Sequence, residues 1–210
     1  MSINKQLAND LYQIKAVQIK PDRSFTWTSG IKSPIYCDNR LTLSYPDIRN
    51  RIAAAFVKEV KQLEEQPDCI AGCATAGIPH AAWLADKLNL PMAYVRSKPK
   101  GHGKGNQIEG KVMKGQKVVV IEDLISTGGS AIETAEVLRQ DGIEVLAVLA
   151  IFTYGLPQTM RSFEQHDLLL RTLTNFDTLI TLLSDEGTIT AEEYQSLIDW
   201  RNGLKPQSGR

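Results

Sequence analysis

A chain of 210 residues with 42% apolar and 23% charged side chains has the composition of an ordinary globular domain, long enough for one substantial core. Its 24 Lys and Arg balance 24 Asp and Glu, so there is no chain-wide cationic surface for nucleic acid, although a local basic patch remains open. The longest apolar run, Val145 to Phe152, is far short of the roughly 20 residues a bilayer span requires, which excludes a helical membrane protein. Met1 to Gln6 has neither the apolar core nor the cleavage pattern of a secretory signal. Cys37, Cys69 and Cys73 are odd in number. His80, His102 and His166 form no HxH or HExxH pair, so reduced thiols in a cytoplasmic protein are expected rather than a disulfide or metal framework.

Leu7, Leu11 and Ile14 have helical spacing, after which Pro21, Ser29-Gly30 and Ser33-Pro34 break the chain into extended pieces. Pro46-Asp47 opens a helix with the apolar face Ile48, Ile52, Phe56, Val60 and Leu63. A strand at Cys69–Cys73 leads through Thr75-Ala76-Gly77 into a small-residue helix carrying Ala81, Ala82, Ala85 and Leu88. A strand at Met92–Val95 follows, then a polar stretch from Arg96 to Gly115 and a strand at Val118–Ile121. A Gly-rich turn gives way to a helix through Ile132, Ala135 and Leu138 that stops at Asp141-Gly142, and Val145–Phe152 is the next strand. The remainder reads as a short helix, a strand at Leu168–Leu170 and two helices, the last opened by the capping-box sequence Thr190 to Glu193; Gly203 to Arg210 is expected to fray. Apolar strands without polar alternation, separated by helices, describe an α/β fold with a parallel sheet covered on both faces.

In such sheets ligands collect beyond the carboxyl ends of the strands. Two segments there have unusual content. After Val118–Ile121 come Glu122 and Asp123, then Leu124-Ile125 and the turn Ser126-Thr127-Gly128-Gly129-Ser130. A Ser/Thr/Gly turn entering a helix points backbone N–H groups and hydroxyls into one small volume, which suits a phosphate monoester. The plainer alternative is a helix cap with two glycines for tight turning. Two carboxylates beside an anion cradle repel a bare phosphate, and a polyhydroxylated or Mg-bridged ligand between them resolves that conflict. No GKS or GKT follows the glycines, so this is not a P-loop. The second segment, Arg96 to Lys117, sets seven basic residues against the single acid Glu109, with five glycines and His102 among them. It is either a solvated loop or a cationic lid that closes on a polyphosphate and excludes water. Ala74 to Gly77 offers a third, weaker anion site at a helix N-terminus.

The stretch from Glu122 to Ser130 resembles the phosphoribosyl pyrophosphate (PRPP) motif of the type I phosphoribosyltransferases. Phe25 to Tyr36 resembles the N-terminal hood of the orotate-using members, and Arg96-Ser97-Lys98-Pro99-Lys100-Gly101-His102-Gly103 resembles their catalytic lid. The resemblance implies one phosphoribosyltransferase domain over residues 1–210: N-terminal helix and hood at 1–45, an α/β core at 46–155 with the lid at about 96–112, and C-terminal helices and strand at 156–210. It implies transfer of ribose 5-phosphate from PRPP to orotate, a step of pyrimidine synthesis, with Mg carried in on PRPP or pyrophosphate and Glu122 and Asp123 available to assist it. Glu122 and Asp123 would hold the ribose hydroxyls, with Asp123 facing the ribosyl cation of the transition state. Leu124, Ile125, Ser126, Thr127, Gly128, Gly129 and Ser130 complete the PRPP motif, whose turn would take the 5′-phosphate. Arg96, Lys100 and His102 would contact pyrophosphate, and Thr75, Ala76 and Gly77 would form the pyrophosphate loop. Ser126, Lys32 and Tyr36 would help to shape the orotate pocket. The family forms homodimers in which the lid serves the neighbouring subunit. Thr28, Ser97 and Thr153-Tyr154 stand where some members carry basic residues. A purine-base phosphoribosyltransferase and a PRPP-sensing regulator without turnover are the alternatives; the Ser29-Gly30-x-Lys32-Ser33-Pro34 hood argues against the first and the short chain against the second.

Two side chains invite more than one reading. Tyr36, like Trp27, could stack on a flat base or simply pack. His80 is expected to be packed or on the surface rather than catalytic.

Overall fold

The N-terminal periodicity produces helix α1 (Ile3–Gln13), which buries Leu7, Ala8 and Leu11. This computed structural model describes residues 2–22, 25–26, 32–98 and 107–204. Short strands follow: β1 (Val17–Ile19), β2 (Phe25–Thr26), β3 (Lys32–Ser33) and β4 (Ile35–Cys37). β1 pairs antiparallel with β4, and β2 with β3. These two ribbons occupy the segment expected to form the hood; Trp27, Thr28, Ser29, Gly30 and Ile31 lie outside the described residues. A 3-10 turn at Asn39–Ser44 then leads to α2 (Pro46–Lys61), which has proline in its first turn and buries Ile48, Ile52, Phe56 and Val60. Leu63 lies past the end of that helix but is still buried.

The sheet is built from β5 (Cys69–Cys73), β6 (Met92–Val95), β7 (Ile108–Glu109), β8 (Lys117–Ile125), β9 (Glu144–Thr153) and β10 (Leu170–Asn175). Their order is β10-β9-β8-β5-β6-β7, parallel throughout except for β7, which runs antiparallel to β6. The chain leaves β5 for β6 on one side and returns as β8 on the other. The winding therefore reverses between β5 and β8, and a crevice is expected at their carboxyl ends.

Consecutive strand residues face opposite sides, and two cores result. Ile70, Val119, Ile121, Leu149 and Ile151 join α1, α2, α3 (Gly77–Leu88), α6 (Phe176–Asp185) and α7 (Ala191–Gly203) on one face. Cys69, Ala71, Val118, Val120, Val148 and Ala150 join α4 (Gly129–Gln140) and Phe163 of α5 (Pro157–Gln165) on the other. Burial on both faces explains why the strands read as unbroken apolar runs.

Several expectations shift. The polar stretch after Val95 contains β7, a two-residue edge strand too short to leave a periodic signal. The strand expected at Leu168–Leu170 lies at Leu170–Asn175, because Leu168 closes the α5 end by donating its N–H to Phe163. Of the small residues expected in α3, Ala81 and Ala85 are buried and Ala82 is exposed. The capping box at Thr190 and Glu193 forms in both directions. Of the tail expected to fray, Gly203 ends α7, and residues 205–210 lie outside the described residues.

Candidate active site

Strand β8 runs on through Glu122, Asp123 and Leu124 to Ile125, four residues beyond the expected end at Ile121. The two carboxylates therefore belong to the end of the strand itself, where the regular alternation of faces breaks and their carboxyl groups come within hydrogen-bonding reach of one another. Glu122 turns toward α4 and is 6% exposed; its Oε2 accepts the Ser130 hydroxyl at 3.1 Å and its Oε1 accepts the Asp123 N–H at 3.0 Å. Asp123 turns toward the hood, where its carbonyl accepts the Asn39 amide at 2.6 Å. Asn39 is fully buried, and sequence reasoning missed it because its partner is 84 residues away.

Burial, and then the adjacent Asp123 charge, push the Glu122 carboxyl up to about 7. Burial likewise raises Asp123, against hydrogen bonds that favour its charged form. The Cys73 thiol is pushed well up by burial and by the Glu122 charge; it lies 3.2 Å from the Thr134 hydroxyl, on the Glu122 side. On the Asp123 side, burial raises both Cys37 and Tyr154 above their ordinary ranges, and the Asp123 charge adds to this. All three cysteines are free; Cys69 and Cys73 are buried and Cys37 half-buried.

A buried carboxyl shifted upward favours the protonated fold. Its stabilisation is complete below the ordinary value of 4.5 and is lost as pH rises through about 7. Glu122→Gln is thus expected to match the parent in stability near pH 4.5 and to exceed it at pH 8.5, by about 2–3 kcal/mol. Urea denaturation at the two pH values checks this; an equal difference at both would show that the Glu122 charge carries no folding penalty.

Ile125 is buried in the core, and its carbonyl is taken by the Thr153 hydroxyl at 3.0 Å and the Tyr154 N–H at 3.2 Å; Leu124 is half-buried against the opposite core. Of the expected PRPP motif, these two residues are thus wall rather than cradle. The turn that follows is braced from below by α5. The Thr159 hydroxyl donates to the Ser126 carbonyl at 2.7 Å, and a β-carbon on Gly128 would sit 2.6 Å from the Phe163 ring. Gly128 is the N-cap of α4 at φ +82°, a conformation glycine adopts without strain, and no side chain caps the helix there. Thr127, Gly129 and Ser130 are exposed, so the N–H groups of the α4 terminus, which no side chain caps, are open to an anion.

Gly77, at the start of α3, lies so close to β8 that a β-carbon would stand 2.2 Å from the Ile121 carbonyl oxygen. That contact sets the Thr75-Ala76-Gly77 loop, which follows a cis peptide at Ala74–Thr75, beside the carboxylates. Thr75 and Arg96 line one cleft of about 270 Å³ with Ser97 and Lys98, and Arg96 and Ser130 line a smaller pocket. The Arg96 N–H donates to the Gln107 carbonyl at 2.9 Å, the Gln107 amide returns to the Arg96 carbonyl at 3.1 Å, and Glu109 lies 3.5 Å from the Arg96 guanidinium. Arg96, at the start of the lid expected at about 96–112, therefore meets Gln107 within it, and β7 takes up part of its later half, while Lys100 and His102 lie outside the described residues.

In the hood, exposed Lys32 donates to the Thr26 hydroxyl at 2.9 Å, and Tyr36 is 40% exposed against Phe25. His80 is 1% exposed beside Trp83, and burial depresses it to about 4, so it is a neutral packed ring rather than a proton carrier at pH 7. Among the described residues no group of three or more His, Cys, Asp and Glu could hold a metal ion.

The model of the phosphoribosyl transferase domain matches residues 43–163, the stretch that contains this crevice. An orotate phosphoribosyltransferase of Oceanobacillus iheyensis is 57% identical over 202 residues, spanning 96% of this chain and 100% of that protein. The crystal structure of orotate phosphoribosyltransferase from Aeropyrum pernix superposes with a TM-score of 0.74 at 31% identity, covering 88% of this chain and 99% of that one. An adenine phosphoribosyltransferase from Leishmania tarentolae shares the fold, with a TM-score of 0.62 at 20% identity over 85% of this chain and 91% of that one. The chain belongs to the orotate phosphoribosyltransferase family.

Proposed function

We propose that the chain transfers the ribose 5-phosphate group of PRPP to orotate, giving orotidine 5′-monophosphate and pyrophosphate in pyrimidine biosynthesis. The observation that carries this reading is the meeting of two carboxylates, an uncapped α4 terminus and the Thr75–Gly77 loop in one crevice. Orotate arrives as an anion, so no strong base is needed to make it a nucleophile. Bond breaking at the anomeric carbon leaves cationic character on the ribose, which the fixed Asp123 carboxylate stabilises, with Glu122 holding the ribose hydroxyls. The Ser126–Ser130 turn holds the 5′-phosphate, and Ser126, Lys32 and Tyr36 hold the base. Negative charge accumulates on pyrophosphate, beside Arg96 and the Thr75–Gly77 loop, with Lys100 and His102 completing the cationic side. The buried like-charged pair Glu122 and Asp123 suits a ligand that arrives with a divalent cation, and Mg bound to PRPP would neutralise the leaving group. Water would consume the ribosyl cation, and closure of the lid excludes it.

The reading includes a homodimer with the lid shared between subunits, working in the cytoplasm. Free, mostly buried thiols suit a reducing compartment, and no helix among the described residues is long and apolar enough to cross a membrane.

Loss of orotate absorbance that requires both PRPP and Mg tests the reaction. No loss, with PRPP still bound by calorimetry, would turn the reading toward purine bases and then toward a PRPP sensor. The shared lid predicts that inactive Lys100→Ala and Asp123→Asn subunits regain activity when mixed, because one site of the hybrid then has both groups. Verified hybrids without recovery would confine each lid to its own subunit.

A further inference from the structure

Among the described residues, two hydrogen bonds that tie the hood to the rest of the molecule come from opposite ends of the fold. Asn39, just after β4, grips the Asp123 carbonyl. The second tie comes from the far end of the chain, where the Trp200 indole N–H donates to the Lys32 carbonyl at 3.2 Å across 168 residues. Trp200 is 7% exposed, and its ring lies against Phe176 with centroids 6.2 Å apart. Helix α7 is itself fixed, by the Thr190–Glu193 capping box at its start and by Arg201, which pairs with Asp177 and lies over the Phe176 ring. Beyond Lys32, buried Ser33 donates its hydroxyl to the Ile35 carbonyl at 2.8 Å and accepts the Ile35 N–H at 3.1 Å. Those two bonds couple the backbone that follows the Lys32 carbonyl to Ile35, next to Tyr36.

We infer that Trp200 is a positioning residue for the nucleobase side of the site, acting through the Lys32 carbonyl to hold the hood strands β3 and β4 in place. This rests on the reading in which Lys32 and Tyr36 shape the orotate pocket. The ribose and phosphate subsites stand on β8, α4 and α5, whereas the Trp200 indole hydrogen bond falls on the Lys32 carbonyl, so its effect falls on the nucleobase more than on PRPP.

Trp200→Phe keeps a ring against Phe176 and removes the donor. The expected result is a KM for orotate raised about five-fold, the fold-change of one ordinary hydrogen bond, with kcat and the KM for PRPP changed less than two-fold. In the parent protein, the indole N–H resonance that this variant lacks should shift when orotate is added to the PRPP-bound enzyme. Equal losses in all three kinetic parameters, or an indole resonance that saturating orotate leaves unmoved, would overturn the inference. Absence of orotate turnover in the parent protein would instead overturn the functional reading. If the variant does not fold, the resonance, located by its loss in Trp200→His, decides alone.

Discussion

Asp123→Asn is expected to lower kcat by about 10²–10³-fold while leaving PRPP affinity within about three-fold. The asymmetry follows from when the charge is needed. PRPP in its ground state carries no cation on the ribose, so an amide of the same shape can keep most of the binding contacts. Charge at the anomeric carbon grows only as pyrophosphate departs, and a neutral amide has no charge to set against it. The fold should tolerate the change, because the Asn39 amide grips the Asp123 backbone carbonyl rather than its side chain. Single-turnover kinetics beside PRPP titration separate the two quantities. Parallel losses in both would reduce Asp123 to a residue that orients the substrate.

Gly77→Ala is expected to cost about 3 kcal/mol of stability, at the upper end of ordinary overpacking penalties. The obstacle is backbone, not a side-chain end that could swing aside: the added carbon would stand 2.2 Å from the Ile121 carbonyl oxygen and 3.3 Å from the Glu122 Cα. Relief requires α3 to move off β8, which separates the Thr75–Gly77 loop from the carboxylates, so activity should fall with stability. Gly129→Ala is the matched control, since nothing lies within 4 Å of its added carbon; it should stay within about 0.5 kcal/mol of the parent. Urea denaturation of the pair is the measurement. A Gly77→Ala protein as stable as the control would mean that the α3 terminus is free to shift, and that the crevice is not held by this contact.

What could be read from the residues was what repeats locally. Cys69–Cys73 and Met92–Val95 are short apolar runs bounded by polar or turn residues, and the structure places β5 and β6 at those limits. The helix N-terminal signals at Pro46 and Thr190 are equally local, and both helices start there. β8 was legible only as far as Ile121, because Glu122 and Asp123 look like the start of a loop; pairing with β9 continues to Ile125 and keeps them in the strand. The Glu-Asp pair and the glycine turn could be picked out as chemistry without any structure. What no local pattern contains is support from a distance. Asn39 under Asp123, Phe163 under Gly128 and Trp200 behind Lys32 are ordinary residues in their own neighbourhoods, and only the folded chain gives them a partner.

The pinch between Arg96 and Gln107 has a consequence for how this enzyme can change over generations. A loop whose ends are already fastened together adds little to the cost of folding as it grows; doubling its length costs only about 0.6 kcal/mol. The length of the chain between Arg96 and Gln107 can therefore change at little cost in closure entropy. The cradle has no such freedom, since its turn is wedged between α5 and β8. Length is thus free to vary in one stretch of the crevice's rim and is fixed by packing in the other.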